Sequence, residues 1–95
     1  MQPKVVIVTG GADGFGAAIA DRFSQEGFQV VILDLNEEKG ELKASNDPNL
    51  HFLAGDVTRQ DTWEQALTLA RENFGRLDVV VNNAGITGGK SVSNA

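Results

Sequence analysis

The stretch Val5-Val6-Ile7-Val8-Thr9-Gly10-Gly11-Ala12-Asp13-Gly14-Phe15-Gly16 constrains the fold of this chain more than any other. Val5 to Val8 are four consecutive apolar residues, three of them valine, and they read as a short strand buried on both faces. Gly10 to Asp13 break that strand, and from Phe15 the pattern turns helical, with Phe15, Ile19 and Phe23 recurring beside Ala18 and Ala20. A strand, a glycine-rich turn and a helix N-terminus in succession make an anion site, because the turn's N–H groups and the helix dipole face the same point. Gly10 suits the tight turn, Gly14 lets a phosphate approach the backbone, and Gly16 lets the helix press on the strand.

The theme then repeats. Gly27 is placed to close the first helix, and Phe28 to Leu33 form a second buried strand ending at Asp34. A short polar helix follows from about Asn36, its N-cap, to Ala44, with Glu37, Glu38 and Glu41 on a solvated face. Ser45 to Asn49 is a loop, His51 to Ala54 a third strand, and Gly55-Asp56-Val57 its closing turn. Thr58 and Asp61 resemble a helix cap. Trp63, Ala66, Leu67, Ala70 and Phe74 share one helical face, with Trp63 read as core, and Gly75 ends that helix. Leu77 to Val81 is a fourth strand, running into Asn82-Asn83-Ala84-Gly85. Alternating strands and helices imply right-handed parallel crossovers. The expected architecture is therefore α/β, a partial Rossmann-type doubly wound parallel sheet of about four strands in order 3-2-1-4. Residues 1–86 form that half-domain, and the Gly/Ser-rich residues 87–95 read as a disordered tail.

The glycine turn gains meaning from its surroundings. Asp34 follows Gly16 by 18 residues at the end of the next strand, where a carboxylate can accept both hydroxyls of an adenosine ribose. Asp13 is read first as a cap of the first helix, through the N–H of Phe15 or Gly16, and second as a residue bearing on cofactor choice. His51, the sole histidine, lacks a partner for chemistry and reads as a strand-edge residue. A net charge of −5 argues against a nucleic-acid surface or a polybasic membrane contact. Without cysteine there is neither disulfide nor thiolate metal site, and no metal ligand set is expected. No apolar run exceeds four residues, so neither a membrane span nor a signal peptide is expected, and the default location is the cytoplasm.

These motifs resemble the classical short-chain dehydrogenases/reductases. Thr9 to Gly16 resembles that family's TGxxxGxG cofactor turn, Asp56-Val57 stands where members hold the adenine, and Asn82-Asn83-Ala84-Gly85 resembles the NNAG element after the fourth strand. The resemblance runs from Lys4 to about Ile86 and covers only the family's N-terminal, cofactor-binding half. It implies a nicotinamide dinucleotide as partner, with Thr9, Gly10, Asp13, Gly14, Phe15, Gly16, Asp34, Leu35, Asp56, Val57, Asn83, Ala84 and Gly85 around it. It also implies NAD(H) rather than NADP(H), since a 2′-phosphate would face the Asp34 carboxylate with no cation to offset it. Leu35 is not basic, and Asp13 stands where phosphate-preferring relatives often carry Lys or Arg.

The family's catalytic relay uses a tyrosine and, four residues later, a lysine; this chain has no tyrosine, and Ile86 lies four residues before Lys90. The expectation is a cofactor-binding half of an oxidoreductase that is inactive alone, with no catalytic residue assigned. Two other readings stay open: a non-catalytic nucleotide-sensing or partner-binding module, and an incomplete sequence of an ordinary active enzyme. A truncated gene product or an isoform would look the same. The valine strand from Leu77 to Val81 would lack its outer neighbour, so self-association or pairing with a longer relative through that edge is also expected.

Overall fold

A computed structural model describes residues 3–83. Seven elements alternate: β1 (Val5–Thr9), α1 (Gly14–Gln25), β2 (Gln29–Asp34), α2 (Glu37–Ser45), β3 (Leu50–Ala54), α3 (Gln60–Phe74) and β4 (Val79–Asn82). The strands form one parallel sheet in the order β3-β2-β1-β4, as the sequence predicts. β1 and β2 are central, and Val5 to Val8 and Val30 to Leu33 are wholly buried. That is the reason they are continuous apolar runs: both faces of a parallel sheet are covered by its crossover helices.

Alternation along each strand sends side chains to two cores. Val6, Val8, Val30 and Ile32 meet α1 and α2, with Ala20, Ile19, Phe23 and Phe52 completing that layer. Ile7, Val31 and Leu33 meet α3 through Ala66, Trp63, Leu69 and Phe74. The inward rows of the helices are made of small residues, Gly16-Ala20-Ser24 on α1 and Thr62-Ala66-Ala70 on α3. Two sequence expectations are corrected by this. Phe15 is 84 % exposed and Leu67 43 % exposed, because each stands one residue off the small row that faces the sheet. Ile19 and Phe23 keep their place against the core as flanking residues.

The strand limits shift for local reasons. Residue 77 lies outside β4, and the ladder starts with Val6 paired to Val79. Just before it, the Val5 N–H donates to the Asp78 carboxylate at 2.8 Å and the Asp78 N–H to the Val5 carbonyl at 2.9 Å. Asp78 also holds Arg76, whose guanidinium keeps the carboxyl below its usual range. Asn36 caps α2 as expected, accepting from the Lys39 N–H at 3.0 Å, and Gly27 and Gly75 turn at positive φ past α1 and α3. Thr58 is not a helix cap. The Asp56 carboxylate takes both its N–H and its hydroxyl, leaving Arg59 at the N-cap of α3 with no side-chain capping bond, while Asp61 pairs with Arg59.

A run of side-chain bonds crosses the strand ends remote from the glycine turn. The Ser24 hydroxyl donates to Asp47 at 2.6 Å, the Asn49 N–H donates to Asp47 at 2.9 Å, and the Asn49 amide reaches Ser24 Oγ at 3.3 Å. Gln29 Nε2 donates to Asn49 Oδ1 at 3.1 Å, and Gln29 Oε1 meets His51 Nε2 at 2.7 Å. His51 is thus structural, as the sequence suggests, with its ring 5.1 Å from that of Phe74 and burial pushing its pKa down.

Gly40 lies in the middle of α2, where an exposed Gly→Ala change would stabilise by about 1 kcal/mol. Here a Cβ would run into three ring carbons of Phe52. Overpacking of this kind costs about 1–3 kcal/mol, and so many contacts favour the upper end. Gly40→Ala should therefore lower stability in urea by about 1–2 kcal/mol, and an unchanged or raised midpoint would contradict this packing.

Candidate functional site

The C-terminal ends of β1, β2 and β3 open onto one side of the sheet, where crossover loops of an open α/β sheet bind ligands. β1 ends at the buried Thr9, and the Gly10 N–H still donates to the Leu33 carbonyl at 2.8 Å. Gly10 then takes a φ of 66°, which turns the chain out of the sheet toward α1. Gly14 opens the helix at a φ of 57°, and no atom lies within 4 Å of where its Cβ would be. The Cβ side of Gly14 is open at this helix N-terminus, where anions are favoured, while its N–H is held by the Asp13 side chain. Gly16 has the opposite setting: its missing Cβ would collide with the Gly10 carbonyl and lie 2.7 Å from Asn83 Nδ2.

Asp34 is tied into this turn. Its Oδ2 accepts from the Ala12 N–H at 3.0 Å and its Oδ1 from the Asn36 N–H at 3.0 Å. The Gly55 N–H donates to its backbone carbonyl at 3.1 Å. One residue therefore joins the glycine turn, the start of α2 and the turn after β3. A carboxylate offers about four acceptor directions, and among the described residues these two hydrogen bonds leave two of them open. The sequence marked Asp34 for a ligand, but not for this bracing of the turn.

Between these segments lies a cleft of about 100 Å³, lined by Gly10, by Leu33, Asp34 and Leu35, and by Gly55, Asp56 and Val57. A pocket for a whole ligand usually holds about 300–1,000 Å³, and this cleft is smaller than that. A larger depression of about 580 Å³ runs along the outer face of α3 and collects no residue from any strand end. The Val57 carbonyl is pinned by the Trp63 Nε1–H at 2.8 Å, a positioning role beyond the core role expected for Trp63. Asp56 is occupied locally, its carboxyl held low by the hydrogen bonds from Thr58.

Asn82 and Asn83 close the far side. Thr9 Oγ1 donates to Asn82 Oδ1 at 3.1 Å, and Asn83 Nδ2 reaches the Gly10 carbonyl at 3.4 Å. Asn83 is buried, and Ala84 and Gly85, together with the expected tail, lie outside the described residues.

Asp13 departs from expectation in two respects. It caps α1 through the adjacent Gly14 N–H at 2.8 Å rather than through Phe15 or Gly16, since its own backbone is extended and carries its side chain back over its neighbour. It also meets Lys39 Nζ at 2.7 Å, so a cation does stand at this rim. The Lys39 hydrogen bond is the main cause holding the Asp13 carboxyl below its usual range, and the same bond raises Lys39. Lys39 was legible only as part of a solvated helix; no sequence spacing connects it to residue 13.

Sheet order, glycine turn and acidic strand end together define a Rossmann-type nucleotide-binding half-sheet. The chain matches the family model of short chain dehydrogenases over residues 4–95, and it belongs to that family. It is 38 % identical over 95 residues to zerumbone synthase of Zingiber zerumbet, covering 97 % of this chain and 36 % of that protein. It is 47 % identical over 83 residues to the 3-hydroxyacyl-CoA dehydrogenase type-2 of Bos taurus, covering 86 % and 32 %. A short chain dehydrogenase from Bacillus anthracis superposes with a TM-score of 0.79 at 36 % identity, covering 84 % of this chain and 35 % of that one. The 3-ketoacyl-(acyl-carrier-protein) reductase from Brucella melitensis, solved in complex with NADH, gives 0.77 at 30 % identity, covering 83 % and 33 %. The chain thus spans about a third of the length of the relatives it matches. Among the described residues no helix is long and apolar enough to cross a membrane.

The bracing by Asp34 is open to a test that needs no ligand. Asp34→Ala removes the acceptor of the Ala12 N–H, on a buried residue, and a buried donor left unpaired costs about 1–3 kcal/mol. Urea unfolding without cofactor should show a loss in that range; a loss below about 0.5 kcal/mol would mean that the turn stands without it.

Proposed function

We propose that this chain is the cofactor-binding part of a short chain dehydrogenase, taking a nicotinamide dinucleotide with the adenosine end in the cleft after β1–β3. One observation carries the reading: Gly10 of the glycine turn and Asp34, whose carboxylate holds the Ala12 N–H of the same turn, line a single cleft at the strand ends. Residues 1–86 act as one half-domain. Thr9 and Asn83 fix the turn, Gly10, Gly14 and Gly16 admit the pyrophosphate, and Phe15 lies exposed beside it. The two open acceptor directions of Asp34 take the ribose hydroxyls, and Leu35, Asp56 and Val57 border the adenine. Asn83, Ala84 and Gly85 would lie toward the nicotinamide. The nicotinamide ring is what carries hydride in such a dinucleotide. The 95 residues include no tyrosine, so the acid/base of the family relay is assigned to none of them.

Lys39 offsets the charge of Asp13, which leaves Asp34 as the main obstacle to a 2′-phosphate. Fluorescence titration should give NADH binding tighter than NADPH by about tenfold, the equivalent of about 1.4 kcal/mol. Asp34→Ser combined with Leu35→Arg should reduce or reverse that ratio. Equal or tighter binding of NADPH by the unaltered chain would refute the preference, and binding of neither would refute the site.

The chain's own edge supports a second reading, self-association. β4 pairs with β1 on one side, and among the described residues no strand pairs with the other. Val80 is 48 % exposed, with Leu67 and Leu77 bordering a depression of about 360 Å³ nearby. An open apolar edge is a template for further strands. Analytical ultracentrifugation of residues 1–95 should show concentration-dependent association that Val80→Lys suppresses, whereas a monomer at all concentrations would exclude it.

A further inference from the structure

We propose that Lys39 is a specificity-determining residue of the dinucleotide cleft, an ammonium that Asp13 holds at the rim and that a 2′-phosphate can take over. The proposal rests on the cofactor reading above. Lys39 belongs to the first turn of α2, three residues past the Asn36 cap, which directs its stem back toward the glycine turn. Its Nζ lies 2.7 Å from Asp13 Oδ2, while the other Asp13 oxygen is engaged by the Gly14 N–H. Asp13 follows Ala12, whose N–H is bound to Asp34, and Lys39 feels the Asp34 charge as well. Ammonium and both carboxylates therefore share one rim, next to the position where a ribose on Asp34 would present its 2′ substituent.

Solvent decides how firmly the ammonium is held. The Lys39 and Asp13 side chains are 53 % and 70 % exposed, and pairs of this kind are weak. A phosphate monoester carries about −1.5 to −2 charges near neutral pH and offers three strong acceptor oxygens. It outcompetes one solvated carboxylate for a flexible lysine, and transfer of the ammonium requires only rotation of its stem. Lys39 thus softens the penalty that Asp34 imposes on NADP(H), and it does nothing comparable for NAD(H), which has no charge at that position.

The test is titration of residues 1–95 with NADH and NADPH, with melting curves to confirm that each variant is folded. Lys39→Gln should weaken NADPH about three- to fivefold and leave NADH within about twofold, the difference fading in about 1 M salt. Lys39→Arg should retain NADPH binding. Asp13→Asn should tighten NADPH by a similar factor, and the gain should vanish when it is combined with Lys39→Gln. An unchanged NADPH affinity in Lys39→Gln, or equal weakening of both cofactors, would reduce the residue to a tie between turn and helix and overturn the proposal alone. Failure of the unaltered chain to bind either cofactor would instead overturn the cofactor reading, and this proposal with it.

Discussion

The backbone of α1 lies against the peptide of Gly10, and much of the structure follows from that contact. A side chain at residue 16 would occupy the space of the Gly10 carbonyl, so the helix can sit this low only because residue 16 has none. Once it does, the next residues on the same row must also be small, and they are Ala20 and Ser24. Asn83 arrives from the other side of β1 and reaches the same carbonyl. Three elements meet at one peptide group.

Asp34 performs the corresponding task between loops. Its carboxylate collects an N–H from each of two neighbouring turns, so the floor of the cleft is held by an acceptor that is itself exposed to a ligand. Buried polar groups need partners, and a turn whose donors converge on one side chain has few alternative shapes. The cleft is accordingly built before anything enters it, which lowers the ordering cost of binding.

Strand order, element sequence and the family were legible in the residues because they depend on short-range patterns: apolar runs, glycine positions and the βα alternation. Helix faces were read less well. Periodicity marks Phe15 with Ile19 and Phe23, but a helix pressed close on a sheet is centred on its smallest residues, which hydropathy does not flag. Caps were legible where one side chain has one option, as at Asn36. They failed at Thr58 because its hydroxyl and N–H turn back to Asp56 and the helix starts only after Arg59. Lys39 was missed for a different reason: its partner lies 26 residues away, and only the fold brings them together.

At the other end of the strands, the bonded run from Ser24 through Asp47, Asn49 and Gln29 to His51 joins the C-terminus of α1 to the starts of β2 and β3. Five side chains there fasten segments that the ladder alone would leave to fray. Local opening follows the least-bonded route. With this run at one end of the strands and the Asp34 and Asn83 bonds at the other, neither end of the sheet offers such a route.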